Sequence, residues 1–239
     1  MPARGSVIGG RRPPSAVALP AAPGPRVDSA RRQRTRERLM DAAYELFAAQ
    51  GVHATPIEAI AEAAGFTRGA FYSNFESKTE LFFALAEREW RARLDHLRAT
   101  FDQLLPAGAV PRDRLDPETA AGLMAEIFDS LPDDRLWHLV HAEFALLAMR
   151  DPEVAPRFLA STAAVQGELA QLLDATLRSL GLRFVLDPAD VTRLLVEQHD
   201  AALRDAILSG ADDRTAVARA TVMRSLPVLL SRLTEPLDG

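Results

Sequence analysis

TPIEAIAEAAGFTRGAFYSNFESKTEL, residues 55–81, holds two short helical periods joined at a glycine, then the start of a longer one. Thr55-Pro56-Ile57-Glu58 reads as an N-cap, a proline at the first helical position and a capping-box glutamate. That helix stops at Gly65, where a tight turn needs a left-handed backbone. Thr67 caps a second short helix running to about Asn74. Ser77-Lys78-Thr79-Glu80 is another capping box, opening a long helix through Leu81, Leu85, Trp90, Leu94 and Leu97. Around the turn, Ile60, Ala64, Phe66 and Phe71 fall inward, and Ala61 is small where the two helices cross. Thr67, Arg68, Gly69, Tyr72 and Ser73 share the outward face. This is the layout of a helix-turn-helix.

The outward face suits duplex DNA. Arg68 and Tyr72 offer donors to base edges and phosphates, and Gly69 permits close backbone approach. Lys78 stands at the positive end of a helix dipole, which is unfavourable unless a phosphate docks there. Thr55 is placed for a second phosphate in the same way. Taken singly, these residues read equally well as ordinary caps and a solvated lysine. Grouped around one turn, they point to DNA.

Charge along the chain agrees. The 239 residues carry a net −5, yet residues 1–40 hold nine arginines against Asp28 and Glu37. Residues 1–98 sum to +4 and residues 99–239 to −9, a basic front and an acidic back. Residues 1–30, with six prolines and four glycines, lack any sustained period and are expected to be a disordered basic tail. Arg11-Arg12 followed by Ser15–Leu19 is too short an apolar stretch for a twin-arginine export signal, and Pro20 cuts it.

From Arg31 to Gln50, Leu39, Ala42, Ala43, Leu46 and Phe47 recur at helical spacing, and Gly51 supplies the stop. The run TRERLMDAAYELFAAQGVHATPIEAIAEAAGFTRGAFYSNFESKTELFFAL, residues 35–85, resembles the DNA-binding domain of TetR-family transcriptional regulators. Ala42-Ala43, Phe47, Gly51, Thr55, Ile60-Ala61, Ala64-Gly65, Gly69, Tyr72, Phe75 and Lys78-Leu81 carry the resemblance, in one ungapped stretch. It implies that Thr67 to Asn74 is the recognition helix. Arg68, Gly69 and Tyr72 would then take base or groove contacts, while Thr55, Asn74 and Lys78 hold phosphates. It also implies a helical C-terminal domain whose last two helices form a homodimer.

The expected architecture is therefore all-α. A DNA-binding domain over 31–76 leads into a connecting helix over 77–105. A break at Pro106, Gly108 and Pro111 separates these from an effector-binding and dimerisation domain over 112–236. Helices are expected at about 117–131, 133–150, 155–180, 188–209 and 213–233, with no sustained strand alternation and a kink at Pro227. Val191, Leu194, Leu195, Ala202 and Ala206 line one face of 188–209. Ala218, Val222, Leu226, Leu229 and Leu233 line one of 213–233. These faces fit a four-helix dimer seam or packing within one subunit.

Large and polarisable groups gather at Trp137, His138, His141, Phe144 and Met149, with His199 on a later helix. They suit a mixed apolar pocket for a small-molecule effector, or plain core. A metal reading fails for want of further ligands beside His138 and His141. No cofactor is expected. There is no cysteine, and no phosphate loop, dinucleotide-binding glycine cluster, His-Glu-x-x-His or Gly-x-Ser-x-Gly, so no catalytic set stands out. No apolar run is long enough to span a membrane, so a cytoplasmic protein is expected. The function expected is a ligand-responsive regulator, most often a repressor, on a palindromic double-stranded DNA operator. A helical interaction protein using its basic front on nonspecific nucleic acid or acidic partners is the competing reading.

Overall fold

The computed structural model describes residues 26–105, 117–130, 135–210 and 212–237. The order is α1 (Arg26–Gln50), α2 (Ile57–Ala63), α3 (Arg68–Tyr72), α4 (Lys78–Leu104), α5 (Pro117–Ser130), α6 (Arg135–Arg150), α7 (Ala155–Ser179), β1 (Leu182–Phe184), α8 (Pro188–Leu208), α9 (Arg214–Val222), α10 (Leu226–Leu233) and β2 (Thr234–Pro236). Among the described residues the fold is all-α apart from one small ribbon. Most of the expected tail, residues 1–25, lies outside the described residues; its last five residues begin α1. Pro106, Gly108, Pro111 and the Pro132-Asp133 start of α6 lie outside them too.

Caps behave largely as their residue types require. Thr67 accepts from Ala70 N, Ser77 from Glu80 N, Asp187 from Ala189 N and Asp213 from Ala216 N. The start of α2 differs. Pro56 is its N-cap, and Thr55 donates its hydroxyl to Gly51 O at 2.7 Å instead of capping. Gly51 and Gly65 take positive φ, +84° and +74°, closing α1 and forming the turn between α2 and α3.

The expected helix 213–233 is interrupted. A proline in mid-helix would block the bond to Met223 O. The chain instead ends α9 at Val222, turns through Met223–Ser225, and restarts so that Pro227 sits in the first turn of α10. Immediately beyond, β2 pairs antiparallel with β1, in register Leu182↔Pro236, Arg183↔Glu235 and Phe184↔Thr234. Three residues are too few for alternation to show in a sequence.

Packing divides into two main cores. Leu39, Phe47, Ile60, Phe71, Phe75, Leu81 and Leu85 fill the first, between α1 and α4. That core does not stop at α4, because Val140, Phe144 and Ala148 of α6 belong to it, with Phe144 stacked on Phe82. The second joins α8 to α9 and α10 through Ala202, Leu203, Ala206, Ala218, Val222 and Leu226. Among the described residues no helix is long and apolar enough to cross a membrane.

Candidate nucleic-acid interface and ligand pocket

The turn between α2 and α3 buries Ile60, Ala61, Ala64 and Phe71 and leaves Thr67, Arg68, Gly69, Tyr72 and Ser73 exposed. Tyr72 keeps 45% of its surface, a high value for a tyrosine one residue from a fully buried phenylalanine. The Arg68 guanidinium lies 5.5 Å over the Tyr72 ring and 2.7 Å from Glu58 Oε1. Hydrogen bonding with Tyr72, and then the Glu58 charge, raise its already high pKa. Arg68, Gly69, Tyr72 and Ser73 thus present one polar face of a rigid, capped helix.

Two arginines of α1 that sequence reading counts only as basic charge brace this helix from behind. Arg36 donates to Asn74 O at the C-terminal end of α3, with its guanidinium 4.1 Å over Phe75. Arg38 lies 4.8 Å over Phe66, and its Nη2 stands 2.9 Å from where a Cβ on Gly65 would be. Their spacing, Arg-x-Arg on the last exposed turn before Leu39, was the available signal.

The three residues expected on phosphates turn inward. Thr55 is fully buried. Asn74 keeps 8% exposure and donates Nδ2 to Ala70 O at 2.8 Å, leaving Oδ1 buried without a partner. Lys78 Nζ donates to Val52 O at 2.9 Å, Thr55 O at 2.8 Å and His53 O at 3.4 Å. Burial lowers the lysine pKa. Its ammonium therefore ties the α1–α2 connection to the start of α4.

Behind this unit a cavity of about 520 Å³ opens between α4, α5, α6, α7, α8 and α10. Trp137, His138, His141 and His199 line it as expected. Phe144 and Met149 do not. Phe144 is fully buried on the row of α6 that faces α4, and Met149 is 75% exposed at the helix end. The sequence reading missed the opposite walls, notably Trp90, Arg93 and Phe101 of α4 and Phe158, Thr162 and Gln166 of α7. Their three- and four-residue spacing carried the signal, but the same spacing describes any core-facing helix.

Rings dominate one end. Trp90 meets Trp137 edge-on at 6.0 Å, and His141 lies between Trp137 at 5.5 Å and Phe158 at 5.4 Å. Burial pushes the His141 pKa below its usual 6.5; Asp200 opposes this and His138 adds to it. Arg93 sits 4.9 Å over Trp137 and pairs with Glu89 at 3.1 Å.

On the far side, Val191, Ala202, Ala206, Ala218, Val222 and Leu226 are buried, most of them in the core between α8 and α9–α10 of one chain. The large apolar residues of these helices left exposed are Leu194, Leu208, Val217, Val228 and Leu229. Of the residues expected at a dimer seam, then, Leu194 and Leu229 face outward and most of the others pack within the subunit.

A short, capped and braced helix with one polar face thus stands in front of a helical body that encloses a cavity. Residues 39–85 match the family of bacterial regulatory proteins, tetR family. The regulator SrpR of Pseudomonas putida is 45% identical over 71 residues, 29% of this chain and 33% of that protein. Among the curated relatives the match spans 22% to 53% of the relative's length. Whole-fold similarity comes from solved structures. A TetR-family regulator from Mesorhizobium loti has 20% identity and a TM-score of 0.57, over 86% of this chain and 98% of that one. SmeT, the repressor of the Stenotrophomonas maltophilia multidrug efflux pump SmeDEF, has 24% identity and a TM-score of 0.50, over 83% and 91%. Residues 39–85 are thus similar to the tetR family of bacterial regulatory proteins, and the fold of the described residues is similar to that of TetR-family structures.

Proposed function

We propose that the protein is a cytoplasmic, homodimeric repressor that leaves a palindromic operator when a small molecule fills its cavity. The observation that carries this reading is the continuity of α4. It begins beneath the recognition helix at Lys78 and, from about three turns further on, supplies Trp90, Arg93 and Phe101 to the cavity wall. Repression is what its name states for SmeT, and we extend that mode to this chain.

In this reading Thr67, Arg68, Gly69 and Tyr72 enter the major groove, while Thr55, Asn74 and Lys78 hold the unit in shape from within. Copies associate through α8 and α9–α10, using the exposed Leu194, Val228 and Leu229. A dimer meets two half-sites about 34 Å apart, so a change of a few ångströms in that separation breaks the match. A ligand shifts the equilibrium only by binding one arrangement better than the other. Both α4 and α6 stand between cavity and DNA, with Phe144 on Phe82 where they meet.

Selection of bound sequences from random duplex DNA tests the operator. A pseudo-palindrome with half-sites about one helical turn apart supports the reading. Binding without any motif, lost steeply in salt, overturns it in favour of a basic nucleic-acid-binding surface. The chain has no cysteine, so Ser73→Cys takes a single spin label per subunit. The distance between labels should change on ligand addition, and an unchanged distance would refute the proposed coupling.

A further inference from the structure

We propose that the cavity takes an uncharged, ring-bearing, mainly apolar molecule and rejects ions of either sign. The proposal rests on the effector-site reading above and names the class of ligand for that site.

The argument is one of charge balance. An ion brought into an apolar cavity loses its hydration, and only an opposite charge already held there compensates. Among the described lining residues the permanently charged ones are Arg93, Asp200 and Arg204. Arg93 is the inner one, and its charge is spent. Glu89 Oε2 lies 3.1 Å from Nη1, with the two side chains 14% and 18% exposed, and Glu89 O also accepts from Nη1. Glu89 Oε1 also accepts from Arg88, which pairs in turn with Asp41 at 2.6 Å, so an incoming carboxylate would meet two arginines already matched by two carboxylates rather than a lone cation.

A ligand cation fares no better. Two of the lining rings already carry a guanidinium, Trp137 that of Arg93 at 4.9 Å and Phe83 that of Arg157 at 4.1 Å, and these fixed cations oppose a further one. Asp200 and Arg204 are exposed on α8, one turn apart and opposite in sign, so the mouth of the cavity is balanced too. His141 lies between the rings of Trp137 and Phe158, where burial disfavours its charged form, against the pull of Asp200. What remains for a ligand is ring surface and the neutral hydrogen-bonding groups of Ser161, Thr162, Gln166 and Thr176, beside the imidazoles of His138 and His199. A flat, neutral molecule with one hydroxyl or carbonyl matches that inventory.

Biphenylmethanol, biphenylcarboxylate and biphenylmethylammonium share one skeleton and differ in a single group, neutral, anionic or cationic near neutral pH. The chain's two tryptophans, Trp90 and Trp137, both line the cavity, so intrinsic fluorescence reports occupancy directly. With the full chain, the alcohol should bind saturably with a Kd at least about tenfold below that of either ion. Val165→Phe, which fills the wall, should abolish the signal. Glu89→Gln frees the Arg93 charge and should raise the affinity for the carboxylate relative to the alcohol by about tenfold or more. Equal or tighter binding of either ion to the unaltered chain overturns the proposal, as does no response to any of the three probes. Tight binding of the alcohol without release of the selected operator leaves this ligand class standing and removes the effector reading instead.

Discussion

At the scale of single residues, Lys78 separates two uses of a cation at a helix start. A phosphate clamp would leave its N–H groups outward, whereas here Nζ serves the carbonyls of Val52, His53 and Thr55. Lys78→Met should therefore cost about 1–3 kcal/mol of stability, read from the shift in a denaturant midpoint. Operator affinity should fall with it, while the slope of log affinity against log salt stays as it was. A slope reduced by about one phosphate contact would place Lys78 on DNA. Tyr72 and Arg68 behave differently, because both are exposed and pack on each other. Tyr72→Ala and Arg68→Ala should each remove roughly 1–3 kcal/mol of discrimination between the operator and a scrambled duplex, with little change in melting temperature.

Among elements, α6 serves two neighbours through two faces. Val140, Phe144 and Ala148 recur at intervals of four and pack into the front core, while Trp137, His138 and His141 turn to the cavity. Phe144→Ala should lower unfolding free energy by about 3–5 kcal/mol in urea titration, since a fully buried ring leaves a void between α6 and α4. His141 adds a pH dependence. The unfolded chain takes up this proton near 6.5, the folded chain only at lower pH. Stability thus declines as pH falls below 6.5 and levels off once the folded pKa is passed. His141→Gln should flatten that decline in melting temperature relative to the unaltered protein, and an identical decline would refute it.

These elements also show what a sequence can and cannot reveal. The α2–α3 unit was legible because glycine, caps and inward apolar positions are local signals that agree with one another. The α8 and α9–α10 faces were legible as apolar but not as to partner. Periodicity says that a stripe is buried, and the same stripe serves one subunit or two. Phe144 and Met149 failed as pocket residues for a related reason: neighbouring positions on one helix diverge by about a third of a turn or more, so proximity in sequence does not place them on one wall. The ribbon and the inward Lys78 depend on contacts between distant segments, which no local pattern encodes.

For the molecule as a whole, the exposed Leu194, Val228 and Leu229 form the apolar surface that the proposed dimer would cover. Leu229→Glu should shift sedimentation toward the monomer and, because two half-sites are bound together, lower operator affinity by more than the loss of one contact. An unchanged sedimentation coefficient would exclude α10 from the seam. The basic front and acidic back carry through to the fold, with the arginines of α1 beside α3 and the cavity's walls largely in the acidic half.

The ribbon after α10 has an evolutionary meaning. Leu226 and Leu230 line the cavity, yet the end of their helix is pinned by main-chain bonds, β1 to β2, Val185 N to Leu233 O and Leu237 N to Gly181 O. Such bonds are indifferent to which side chains the helix carries. Mutational drift at those two leucines can therefore reshape the cavity wall, and with it the proposed ligand choice, while the main-chain frame around it is inherited intact.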